Sequence, residues 1–233
     1  MISKIRAFSA LLYVLFIAPF LILFMYVFRN KNRVMRQFVA KLFLKIFRVK
    51  YEEIGNIDKE AQILVMNHQS FMDVIILEAI YPLDLCWIAK KELGEPFLYG
   101  HALKAPKMIL INRESKREIM RLLKEAEDRL QNNRVLCIFP EGTRSKGGEK
   151  LLPFKQGARI LIDNFKLKVQ PIVFCGTRDN LDVGVFRFDN SKFTVKYLES
   201  FVPTGDDWYN ELRELMQNEY GKIYTKSHVC MEE

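Results

Sequence analysis

Two short stretches of the chain carry side chains able to do chemistry. In "ILVMNHQSFMDVIIL", residues 63–77, His68 and Asp73 interrupt two aliphatic runs. If a strand ends at Met66, His68 lies in the following loop and Asp73 in the first turns of a helix. A carboxylate there can reach one imidazole nitrogen, fix the tautomer and leave the other nitrogen as a general base. The same spacing also suits a polar turn with Asp73 at a helix start. Ser70 lies between them, but no G-x-S-x-G elbow surrounds it, so a Ser-acyl intermediate is not expected.

The second stretch is "FPEGTRSKGG", residues 139–148, directly after an apolar run. Pro140 stops a strand and Gly142 permits a turn that brings Glu141 and Arg144 together, with Thr143 between them. An arginine fork suits a phosphate, and a nearby glutamate can hold the fork or accept from a hydroxyl; a charged surface loop would look the same. Lys90 and Lys91 in "AKKEL" and Arg113 in "INRES" follow two further apolar runs, adding cations to the same rim.

Elements able to gather these residues are legible in the pattern. "AQILVM" (61–66), "DLCWIA" (84–89), "MILI" (108–111), "RVLCIF" (134–139), "VQPIVF" (169–174) and "SKFTVKYLES" (191–200) read as strands. Between them come a helix from near Phe71, a broken helical stretch from Lys90, and helices near "SKREIMRLLKEAEDRL" and "KQGARILIDNF". A terminal helix follows in "DDWYNELRELMQNEYGKIY". The alternation predicts an α/β fold, a mixed and largely parallel sheet flanked by helices, in which ligands gather where strands run into helices.

The first fifty residues differ in kind. They hold ten lysines and arginines and no acid, although the whole 233-residue chain has a net charge of +8; residues 51–233 therefore sum to −2. A nearly neutral body argues against nucleic acid as a partner. "AFSALLYVLFIAPFLILFMYVF", residues 7–28, carries no charge and would make a helix about 33 Å long, enough to enter or cross a bilayer. Lys4 and Arg6 precede it as in a signal peptide, but the run is too long for an ordinary signal core and no A-x-A site ends it. Pro19 suits a tilted or re-entrant segment without excluding a span. "VMRQFVAKLFLKIF" then places apolar residues at helical spacing with Arg36, Lys41 and Lys45 between them, as in a helix lying among headgroups, packed on the domain, or bridging the two. Residues 1–50 are accordingly expected to anchor residues 51–233 to a membrane surface, with cation density placing the body on the cytoplasmic side, the inner membrane in a bacterium. Cys86, Cys137, Cys175 and Cys230 show no paired spacing and read as reduced thiols, and the histidines show no metal-binding pattern.

Taken in order, "NHQSFMD", "INR", "FPEGTRS" and "VQPIVF" resemble the glycerolipid acyltransferases, most closely the 1-acyl-sn-glycerol-3-phosphate acyltransferases, over about residues 60–175. The likeness departs before the arginine motif, where Lys107 and Leu110 stand at positions that are often Gly and Phe. The resemblance implies a membrane-bound enzyme that moves an acyl chain from a thioester to the sn-2 hydroxyl of lysophosphatidate. No cofactor is implied; acyl-CoA or acyl carrier protein would serve as co-substrate, and neither is singled out. His68 would be the base and Asp73 its orienter; Arg113, Glu141, Gly142, Thr143 and Arg144 would hold the glycerol-phosphate end, with Lys90 or Lys91 helping. Backbone N–H groups just after His68 are candidates for stabilising the oxyanion. Another acceptor, such as glycerol 3-phosphate, and a non-enzymatic anionic-lipid module stand as alternatives.

Overall fold

The structure, a computed structural model, describes residues 1–112 and 116–229, without the side chains of residues 116, 117 and 227–229. A seven-stranded sheet forms its centre. The strands are β1 (Tyr51–Ile54), β2 (Ile63–Met66), β3 (Leu85–Lys90), β4 (Ile109–Ile111), β5 (Val135–Ile138), β6 (Val169–Cys175) and, after a short β7–β8 hairpin (Leu181–Asp182 and Arg187–Phe188), β9 (Phe193–Tyr197). The order is β1-β9-β6-β2-β5-β3-β4, and only the β6–β9 pair is antiparallel. All side chains of β2, β5 and β6 are buried, which explains their continuous Val, Ile and Leu runs: strands covered on both faces have no solvent side to alternate with.

Helices α3 (Met72–Ile80), α4 (Phe97–Lys104), α5 (Lys116–Gln131), α6 (Gly157–Phe165), the single turn α7 (Thr177–Asn180) and α8 (Trp208–Val229) follow the strands. The helical stretch after Lys90 is broken as its sequence suggests, into a 3-10 turn (Lys91–Gly94) and α4. Gly100 is required where they meet, because a β-carbon there would stand 2.1 Å from the Gly94 carbonyl oxygen. Cys86, Cys137 and Cys175 are buried in the core, whereas Cys230 lies outside the described residues.

Two N-terminal helices, α1 (Ile2–Val27) and α2 (Asn32–Ile46), lean on this body and share its core through Ala7, Ala10, Ala40, Phe43 and Leu44. The body grips α1 at both ends, and α2 holds its middle. Ser3 Oγ accepts from the Phe188 N–H at 3.1 Å, and Arg6 donates to the Asp189 carbonyl. Tyr13 donates to the Val39 carbonyl at 2.9 Å, and the Tyr26 hydroxyl meets His101 Nδ1 at 2.7 Å. The outer face of α1 is bare hydrocarbon, with Phe8, Leu12, Leu15, Phe16, Phe20 and Leu23 at least half exposed.

Helix α2 is the bridging kind. Phe43 and Phe47 pack inward and Val34, Phe38 and Ile46 are exposed, so the apolar residues divide between two faces. Arg36 is not the membrane-border cation that its spacing suggested. It is buried, pairs with Glu78 and Asp84, and donates to the Leu85 carbonyl. Arg33 joins the same cluster, bonding Glu78 at 2.6 Å and the Tyr81 carbonyl, while Arg134 Nε approaches Asp84 at 3.0 Å. Two of the ten N-terminal cations therefore neutralise acids of the body and are unavailable to lipid.

Candidate active site

Every residue picked out for chemistry and described by the structure follows the C-terminal end of a parallel strand. His68 and Asp73 come after β2, Glu141 to Arg144 after the neighbouring β5, and Lys90 and Lys91 at the end of β3. Arg113 comes after β4 in sequence and lies outside the described residues. This edge collects loops because each parallel strand must hand over to a crossover there.

His68 Nδ1 and Asp73 Oδ2 are 2.8 Å apart. Asp73 is fully buried at the first turn of α3, where the positive end of the helix dipole favours its charge. The same Oδ2 accepts the backbone N–H groups of Gln69 and Ser70 at 2.7 and 2.9 Å. With a carboxylate as acceptor, Nδ1 carries the ring proton. Nε2, on the opposite edge of the ring, makes no hydrogen bond among the described residues and keeps its lone pair, which is the arrangement a general base needs. These contacts also correct one expectation. The amides of Gln69 and Ser70 are committed to Asp73 and that of His68 to Glu141, so these three are not the oxyanion donors.

The polar neighbours of His68 are scaffold. Asn67 continues the β2–β6 ladder with its side chain, exchanging bonds of 2.7 and 2.9 Å with the Phe174 backbone. Gln69 donates to the Tyr220 hydroxyl at 3.0 Å and accepts from the Gly176 N–H at 3.1 Å. Ser70 Oγ is buried, donates to the Leu181 carbonyl and accepts the Met72 N–H. A hydroxyl so occupied is no nucleophile.

Glu141 is placed beside His68, with both its oxygens turned to backbone amides. Only 2% exposed, it accepts the His68 N–H at 2.9 Å with one oxygen and the Leu152 N–H at 3.3 Å with the other. Burial pushes its carboxyl up to about 7, against the pull of those two amides. The Ser145 N–H returns a 2.7 Å bond to the His68 carbonyl, so the two motif loops clasp each other in both directions. Gly142, at φ +71°, makes the turn that permits this. Thr143 and Arg144 are exposed, as are Lys90 and Lys91, and these are the groups free to meet an anion. At Lys107, one of the departures noted in the sequence, φ is +53°, so the chain makes with a lysine the left-handed turn that glycine makes at no steric cost.

One participant had no signal of its own in the sequence. The Phe139 ring lies flat on the His68 imidazole, with centroids 3.8 Å apart and planes 13° apart, and Trp87 stacks against Phe139 in turn at 5.6 Å and 20°. An aromatic residue at the end of a buried strand reads as core; only the strand order, β2 beside β5, brings it under the histidine.

Residues 48–175 match the family model described as "Acyltransferase", more than half of the chain. The chain belongs to this acyltransferase family. A 1-acyl-sn-glycerol-3-phosphate acyltransferase of Helicobacter pylori is 46% identical to it over 198 residues, covering 84% of each chain. Enzymes of the same name from Saccharomyces cerevisiae (37% identical) and Homo sapiens (the beta form, 30%) match 60% and 61% of this chain; the chain spans 46% and 51% of their lengths. Among solved structures, the 1-acyl-sn-glycerophosphate (LPA) acyltransferase PlsC of Thermotoga maritima superposes with a TM-score of 0.69 at 24% identity, over 94% of this chain and 96% of that one, a likeness of fold. The acyltransferase match begins at residue 48, so it covers both clasped motif loops and leaves α1 and α2 outside it.

Proposed function

We propose that this acyltransferase moves an acyl chain from a thioester to the sn-2 hydroxyl of 1-acyl-sn-glycerol 3-phosphate and so makes phosphatidate. The observation that carries the reading is the His68–Asp73 pair, with Nδ1 tied at 2.8 Å and Nε2 left as the base. Nε2 takes the proton of the acceptor hydroxyl as its oxygen attacks the thioester carbonyl. The tetrahedral intermediate collapses with loss of the thiolate, which recovers the proton from the imidazolium. A thiolate leaves readily, so the site needs no strong acid. Arg144, Lys90 and Lys91, all exposed on the rim, with Arg113, are assigned to the acceptor's phosphate. Glu141 and Gly142 are given a different part, holding the loop of the base, and Thr143 stays with the rim. No cofactor enters this chemistry; the acyl carrier is coenzyme A or acyl carrier protein.

Membrane attachment through residues 1–50 belongs to the same reading. Because the body holds α1 near Ser3 and again at Tyr26, the helix lies along one side of it, and its exposed face suits insertion parallel to the bilayer plane better than a span. The body then rests on the cytoplasmic face, the inner membrane in a bacterium, where lysophosphatidate and the fatty chain are held.

His68→Ala should lower phosphatidate formation from lysophosphatidate and an acyl thioester by about 10²- to 10⁴-fold at equal protein level. Equal rates would remove the base assignment. A faster reaction with glycerol 3-phosphate or another lysophospholipid would move the acceptor assignment elsewhere.

A further inference from the structure

One buried carboxylate has no part in the pair just described. Glu78, 8% exposed on α3, accepts the indole N–H of Trp87 on Oε1 at 2.7 Å. Arg36 closes on the same oxygen and Arg33 on the other at 2.6 Å. From Trp87 the contacts continue face to face through Phe139 to His68. An unbroken column thus runs from the two arginines of α2, through one carboxylate and two aromatic rings, to the imidazole.

What such a column does follows from the geometry of the base. The bond to Asp73 fixes one point on the imidazole edge, but a ring held at one point can still tilt about it. Tilting swings Nε2, on the far side of the ring, through the largest arc. A flat ring at 3.8 Å removes that freedom, provided the flat ring itself stays put. Apolar contact is non-directional and does little to stop Phe139 from sliding. The Trp87 N–H bond is directional and charge-assisted, and it fixes the plate on which Phe139 lies. Two guanidinium groups on the acceptor hold its rotamer in turn. A core needs none of this: buried ion pairs can often be exchanged for apolar side chains without loss of stability. We propose that Glu78, acting through Trp87 and Phe139, is a positioning residue of the acyl transfer that sets the plane of the His68 imidazole. The inference rests on His68 being the base.

The test compares Trp87→Phe, Phe139→Leu, Phe139→Tyr and His68→Ala as purified full-length enzymes in detergent, with lysophosphatidate and an acyl thioester as substrates. Trp87→Phe keeps a stacked ring, a smaller one, and removes the N–H bond. Its kcat is expected to fall about tenfold with both KM values within about twofold, as for a base misaligned by a fraction of an ångström. Phe139→Leu should lose more, and Phe139→Tyr should recover to within about threefold of the parent. The inference is overturned if His68→Ala is inactive while Trp87→Phe turns over at the parental kcat, or if the loss falls wholly in KM. Should Trp87→Phe fail to fold, the Phe139 pair decides: equal kcat for the leucine and tyrosine variants overturns it. Full activity in His68→Ala is a separate result, which removes the base itself and this inference with it.

Discussion

Glu141 shows how a residue can serve a site through its loop, since both its carboxylate oxygens are taken up by backbone N–H groups. Its carboxyl titrates near 7 in the fold, against about 4.3 in an unfolded chain, because burial penalises its charge. The folded state therefore holds the extra proton between these values. Its contribution is full below about pH 4.3, shrinks as pH rises through the interval and levels off above about 7. Glu141→Gln should flatten that slope, on the order of 4 kcal/mol in full and about 2.5 kcal/mol of it between pH 5 and pH 8, when thermal midpoints are compared at those two values. The variant also replaces one of two acceptors with an amide donor, so its midpoint at pH 5 should fall below the parent's. Types and spacing were enough to pair His68 with Asp73, since a carboxylate at a helix start reaches back over few residues. The resemblance gave Glu141 to the substrate, and spacing offered no correction because the donor it satisfies, the His68 N–H, lies 73 positions away in sequence. Glu78 and Phe139 were silent for the same reason, as their meaning arises only from neighbours on other strands.

At the scale of elements, strands buried on both faces were easy to read, because β2, β5 and β6 are continuous apolar runs. Strand β1 was not, since Tyr51–Ile54 is an edge strand with three of its four residues exposed and no buried face to mark it. The turn α7 and the β7–β8 hairpin are too short for any period to show. Helix α2 was read from its apolar spacing, but the spacing could not tell which cations turn inward. Arg36 is decided by Glu78 and Asp84, two acids contributed by α3 and the loop after it. Arg36→Met should destabilise the protein by about 3–5 kcal/mol, because it leaves the buried Glu78 and the half-buried Asp84 with one cation each, Arg33 and Arg134. A thermal midpoint within about 2 °C of the parent would show that the cluster contributes little to docking α2.

For the whole molecule, the division at residue 50 separates sequence character more than structure: the N-terminal helices complete the core that the sheet begins. What they leave outside is the exposed apolar strip of α1, and its removal can be tested apart from catalysis. Phe16, Phe20 and Leu23 together changed to Ser should lower binding to phospholipid vesicles by about 1000-fold or more, measured by flotation, since each buried side chain of this size contributes about 1.5–3 kcal/mol. Turnover of dispersed substrate in detergent should hold, because these side chains are exposed on the outer face of α1 and none of them is a partner of His68 or Asp73 in the hydrogen bonds described. The double tether of α1 has a further consequence. Contacts at Ser3 and Tyr26 lie about 35 Å apart along the helix, and both belong to the body that carries the base. Two such points fix an attitude as well as an attachment. A helix settled at one level in the lipid would hold Nε2 at one height above it, like a gauge set for depth, and a hydroxyl would be acylated for where it sits in the leaflet as much as for what it is attached to.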